Sequence, residues 1–177
     1  MQSHNKFRSA KALLISGAAA LGLAFAAPAA SAADIGEISF NGINFDIESE
    51  DFLQDLIEMD AADIDELRTE MADARADIRD AIADIEEARN EAGDDAEAKA
   101  IVAAALNAAA ASVIESTDDV FKRVHEALNR AEADLVSGKV EVSADEVTET
   151  KMVIAALREE LGGVQSALGE LVAAMKA

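Results

Sequence analysis

Carboxylates are the groups with which this chain could do chemistry. Residues 33 to 92 hold 20 acids against four arginines, a net charge of −16, and such density suits a divalent cation. A calcium loop of the EF-hand type places oxygen ligands at positions one, three, five and twelve, with glycine at six. Asp60, Asp63 and Asp65 fall instead at one, four and six, with no glycine at the turn and no acid at twelve. The spacing supports weak, nonspecific binding of divalent cations, and no metal ligand is assigned. Carboxylate pairs for general acid and base work are so easily found here that they carry no information. A hydrolase would also need a cleft with polar and aromatic lining, and the chain has no Trp or Tyr.

The rest of the reactive inventory is short. There is no Cys, which removes thiol nucleophiles, redox pairs and thiolate metal sites. The two histidines are His4 and His125. A Ser-His-Asp arrangement would have to use His125, in KRVHEAL, without a G-x-S-x-G turn to present a nucleophile. No phosphate-cradling G-x-x-x-x-G-K-[ST] or G-x-G-x-x-G occurs, and Gly162-Gly163 sits inside a helical pattern. No catalytic residue and no cofactor is assigned, and the expectation is a protein that is not an enzyme.

The opening residues, MQSHNKFRSAK, carry Lys6, Arg8 and Lys11 without an acid; an apolar run from Leu13 to Ala27 follows, then PAASAAD. This is the layout of a secretory signal peptide, with Ala30-Ser31-Ala32 as the cleavage site. Cleavage after Ala32 discards three basic groups and leaves 12 Lys and Arg against 36 Asp and Glu, a net of −24. A chain so acidic repels nucleic acid and anionic lipid. The expected address is the bacterial periplasm or the medium, and the expected stability is that of packing alone, without disulfides.

The elements that must position these groups are helices. From Glu50 to Ala92 no Pro or Gly intervenes, and apolar residues recur at steps of three and four. Ile57, Ile64, Met71, Ile78, Ile85 and Ala92 occupy one heptad position, and Leu53, Asp60, Leu67, Ala74, Ala81 and Ala88 the other. The pattern predicts one continuous helix ended by Gly93. A second helix of similar length, from about Asp95 to Ser137, begins alanine-rich, so the hairpin is thin at its turn and thick at its base. Ser116-Thr117-Asp118-Asp119 could cap a fresh start within it. The alanine run from Ala100 to Val113 is expected to serve close packing, since alanine gives little transfer energy and Asn107 interrupts it. After Gly138, KVEV reads as a short strand. Ser143 followed by Glu146 is a capping box, and Val147, Thr150, Ile154, Leu157, Leu161, Val164, Leu168, Leu171 and Met175 form a seam without a miss.

The predicted fold is mainly α: a long antiparallel helical hairpin plus a third helix returning along its lower part, a three-helix bundle or coiled coil, with a small N-terminal β-hairpin. Its segments are 1–32 (signal peptide), 33–48 (β-hairpin), 49–137 (helical hairpin) and 138–177 (short strand and last helix), the last three packed as one domain. The β-hairpin rests on EISFNGINFDI, where alternation flanks Asn41-Gly42 and puts Ile38, Phe40, Ile43 and Phe45 on one face. Two strands alone are marginal in water, so that face needs the bundle or another chain. A second candidate interface is the arginine flank of the first helix. In a parallel two-stranded coil, Arg68, Arg75 and Arg89 would meet Asp63, Glu70 and Asp84 of a second copy; the competing expectation is one seam in a monomeric bundle with a solvated acidic face.

These features imply an exported helical protein acting through protein-protein contacts in the cell envelope, as a scaffold, assembly partner or holdase-like chaperone. Its partner is a protein or a second copy; nucleic acid and stable membrane insertion after cleavage are not expected. An acidic protein that binds divalent cations is the alternative, and a helical hydrolase ranks last.

Overall fold

A computed structural model describes residues 37–40, 43–47, 49 and 51–177, with side chains at 47, 49 and 51–177. The expected signal peptide lies outside the described residues. The backbone of Glu37–Phe40 (β1) pairs antiparallel with Ile43–Asp46 (β2), Phe40 opposite Ile43. The turn Asn41-Gly42 and the side chains of Ile38, Phe40, Ile43 and Phe45 lie outside the described residues.

The chain beyond β2 is mainly helical, in four pieces: α1 (Phe52–Glu58), α2 (Ala61–Ala92), α3 (Ala96–Ser137) and α4 (Ala144–Lys176). A helix leaves its first N–H groups without partners inside the helix, and short polar side chains just before it supply them. Asp60 does so for α2: its Oδ1 accepts from the N–H of Ala62 at 2.6 Å and of Asp63 at 3.1 Å. The Asp63 carboxylate returns the bond, Oδ2 accepting from the Asp60 N–H at 2.8 Å. Asp95 caps α3, accepting from the N–H groups of Glu97 and Ala98. Ser143 and Glu146 form the expected box at α4, with the Ser143 N–H on Glu146 Oε2 at 2.7 Å and the Glu146 N–H on Ser143 Oγ at 3.2 Å.

Three expectations are corrected, and the possible break near Ser116 is not found. The first helix is not continuous: Met59 is extended, at φ −63° and ψ 129°, because Asp60, counted on the heptad seam, is used as a cap. Lys139–Val142 is not a strand. Gly138, at φ +71°, lets the Lys139 N–H reach back to the Asp134 carbonyl, a Schellman closure that spends the backbone a strand would need; the Lys139 ammonium also pairs with the Asp134 carboxylate. No helix restarts near Ser116, since the hydroxyls of Ser116 and Thr117 donate back to the Val113 carbonyl within α3. Finally, α4 is not confined to the lower part of the hairpin. Arg89, four residues before the turn at Gly93, donates from Nη2 to the Met175 carbonyl at 3.1 Å and so satisfies an otherwise free group in the last turn of α4.

The described chain falls into two compact units. One gathers residues 74–117 and 166–177, on both sides of the turn at Gly93. Its interior is built from Ile78 and Ile85, Val102 and Leu106, and Leu168 and Leu171, with Ala88, Ala110 and Ala167 between them. The other gathers residues up to 73 with 118–165 and buries larger groups, among them Phe52, Leu56, Met71, Phe121, Leu128 and Ile154. In this unit Arg158 of α4 binds Glu132 at 2.7 Å and Asn129 at 2.8 Å on α3. On the α4 seam every expected position from Thr150 to Met175 is buried, and Val147 is half-buried. Thr150 is tolerated there because its hydroxyl donates to the Glu146 carbonyl at 2.8 Å.

Hydrogen bonds from Ser143, first from its backbone N–H, hold the Glu146 carboxyl below its ordinary range. A lowered folded-state pKa gives stability that is present above the unfolded-state value and is lost as pH falls through the folded one. Glu146→Gln is therefore expected to lower the melting temperature at neutral pH, with the gap closing in acid; a pH-independent gap would disprove the charge-assisted cap. Ser143→Ala should cost about 1 kcal/mol in urea unfolding, and a loss of only a tenth or two would show that this cap does not set the start of α4.

Candidate interaction surfaces

Among the described residues, no group of three or more His, Asp or Glu side chains is arranged to hold a metal ion. Of the acids considered for calcium, Asp60 and Asp63 are turned onto backbone N–H groups at the start of α2, and Asp65 faces Arg68 at 3.5 Å. His125 lies half-buried on α3, beside the buried Val124.

The three candidate arginines are not brought together at one site. Arg68 is half-exposed and reaches Asp65 at 3.5 Å and Glu160 of α4 at 4.0 Å; Arg75 is half-buried; Arg89 holds the Met175 carbonyl. All three thus have partners within the chain. Exposed ion pairs of such lengths add at most about 1 kcal/mol, so Arg68 is not fixed by them. Glu70, the expected opposite number of Arg75 in a second copy, is half-buried on α2. Burial, and then the neighbouring charges of Glu66 and Asp73, push its carboxyl above the ordinary value.

A different surface emerges on the first half of α3. Its buried side is marked by Val102, Leu106 and Ala110. On the far side, Glu97, Ile101, Ala104, Ala108, Ala111 and Glu115 follow steps of four and three, and all are exposed, Ile101 by half. At about 100° per residue these positions share one stripe. From Ala100 to Ile114 there is no charged side chain. Among the described residues α3 is the one helix that by length and composition could cross a membrane, yet only 17% of its apolar window is buried. The sequence marked this run for close packing. The structure uses one side of it and leaves the opposite side open; the signal that could have found it is the second three-four stripe, from Glu97 to Glu115.

Comparison of the chain with protein-family models, with curated proteins and with solved structures finds no match.

The raised pKa of Glu70 carries a sign that can be tested. A carboxyl raised in the folded state favours folding fully below its unfolded-state pKa, and that contribution is lost as pH rises through the folded value. Glu70→Gln is expected to raise the melting temperature at pH 7, with the gain disappearing as pH is lowered through the carboxylate range. If the gain persists in acid, packing of the amide rather than removal of the charge is its source.

Proposed function

We propose that this is an exported, non-enzymatic helical protein that acts through protein-protein contacts in the cell envelope, as a scaffold, assembly partner or holdase-like chaperone. One observation carries this reading: the outward stripe of α3, Ile101, Ala104, Ala108 and Ala111, is apolar and exposed. Exposed alanine and isoleucine without a charge between them offer a face on which another helix or an unfolded chain can lie closely. The surrounding acidity supports the same reading, since a net charge of −24 after cleavage keeps the free protein soluble and discourages indiscriminate contact.

The N-terminal pattern supports export to the periplasm or the medium. The β-hairpin belongs to this proposal as a second contact, its apolar residues Ile38, Phe40, Ile43 and Phe45 serving to cap the bundle or to add to the sheet edge of another chain. Membrane insertion of α3 is the weaker use of its apolarity. Alanine contributes little on transfer to lipid, and Asn107 lies within the run.

The proposal is tested on the purified chain lacking residues 1–32, by its ability to suppress light scattering from a chemically unfolded β-rich client protein and by photo-crosslinking from position 108 in envelope extracts. Ala104→Glu and Ala108→Glu lie on the exposed stripe, so both variants should stay folded while scattering suppression and crosslinked partners decline together. Unchanged behaviour in both assays would remove the α3 face from the function.

A further inference from the structure

The break between α1 and α2 is unusual for its surroundings. No Gly or Pro occurs from Glu50 to Ala92, and the three-four spacing passes through the break in phase: Leu53, Ile57, Asp60, Ile64, Leu67, Met71. Helix interruptions are ordinarily placed by Pro, Gly or an inserted side chain. Here the interruption is one extended residue, Met59, followed by the reciprocal bonds of Asp60 and Asp63. On the other side of the break stands α1, seven residues long, whose N-cap Asp51 makes no side-chain capping bond. A helix so short is not stable by itself, so α1 depends on the burial of Phe52, Leu53 and Leu56.

We propose that Met59–Asp60 is a two-state joint: kinked while Asp60 and Asp63 cap α2, and continuous as one helix from Phe52 to Ala92 when that cap is lost. Passing from one state to the other turns Met59 from extended to helical. The N–H groups of Asp60, Ala62 and Asp63 then bond to carbonyls four residues earlier instead of to carboxylates. The sequence permits this everywhere except at Asp60, which would then stand on the apolar seam, where an unpartnered acid is costly. Asp60 therefore favours the kink twice, as an acceptor at the cap and as a misfit on the seam.

Phe52 reports which state is present. It lies about 100° around the helix from Leu53, to the side of the continuous seam, yet it is only 6% exposed in the kinked form. Straightening would carry Leu53 along the seam and bring the Phe52 ring out to solvent. Since α1 carries the residues before it, the joint also sets the direction from which the N-terminal segment arrives.

The test is made on isotope-labelled full chain, and on chain lacking residues 1–32. It reads the Met59 Cα chemical shift and the relaxation of the Phe52 ring by a soluble gadolinium chelate. In the wild type Met59 should read as extended and Phe52 as shielded. Asp60→Asn keeps the cap acceptor and should change neither. Asp60→Ala removes the acceptor and should move the balance about fivefold towards the continuous form; Asp60→Leu also fills the seam and should move it further. In both, the Met59 shift should move towards the helical value and the Phe52 ring gain accessibility together, more in the Leu variant than in the Ala variant. A Met59 shift unmoved from the wild-type value in both variants would overturn the proposal, as would a shift towards helical with Phe52 as shielded as in the wild type. Because Asp60→Ala adds no bulk at an exposed position, it remains informative should the Leu variant fail to fold.

Discussion

The fold depends on how the first free N–H groups of each long helix are satisfied. The apolar seams run with few interruptions, and a chain with one Pro and no Cys has little else with which to mark boundaries. Asp60, Asp95 and Ser143 each take N–H groups at the start of α2, α3 and α4. The opposite ends are closed by backbone geometry, with Gly93 at φ +55° after α2 and Gly138 at φ +71° after α3. Such a cap is worth only about 1 kcal/mol, far less than the burial of a seam. Its leverage comes from position: it decides which residue starts a helix, and so which residues each seam presents.

Side-chain size then divides the interior. In the unit around the turn at Gly93 the buried positions include Ala88, Ala110 and Ala167, and small side chains let helix axes approach closely at the cost of little apolar area per residue. In the other unit the buried side chains include Phe52 and Phe121, and α3 and α4 are also held by Arg158 on Glu132 and Asn129. Arg89 has a related task where α2 meets the end of α4, since its charge lies where the helix dipole is negative.

Much of this was legible in the sequence, for reasons that also explain what was not. The α4 seam was readable because Val, Ile, Leu and Met stand out from a polar background at nearly every step, and its capping box because Ser and Glu at that spacing have few other uses. The break at Met59 was hidden because a carboxylate on a heptad position looks like a tolerated defect until its bonds to Ala62 and Asp63 are seen. KVEV was misread because β-branched alternation cannot reveal that the Lys139 N–H is already taken. In α3 the difficulty was alanine itself. Between Ala103 and Ala111 little distinguishes the buried Ala110 from the exposed Ala108 and Ala111, so a helix can have two apolar sides without showing which one the fold uses.

That ambiguity has a physical consequence for a protein this acidic. Net charge of one sign favours solubility and opposes approach by another copy over roughly a Debye length, about 8 Å at physiological ionic strength. Between Ala100 and Ile114 α3 has no charge of its own, so local repulsion is least where the small side chains allow the closest contact. Glu97 and Glu115, exposed at the two ends of the stripe, complicate pairing with an identical face, because either orientation sets acid against acid. A parallel pair in register opposes Glu97 to Glu97 and Glu115 to Glu115. An antiparallel pair with its two-fold midway along the stripe, between Ala104 and Ala108, opposes Glu97 to Glu115. A partner with basic residues beyond the ends of a small apolar face meets neither objection. The same acidity that protects the free chain therefore weighs against self-pairing through α3.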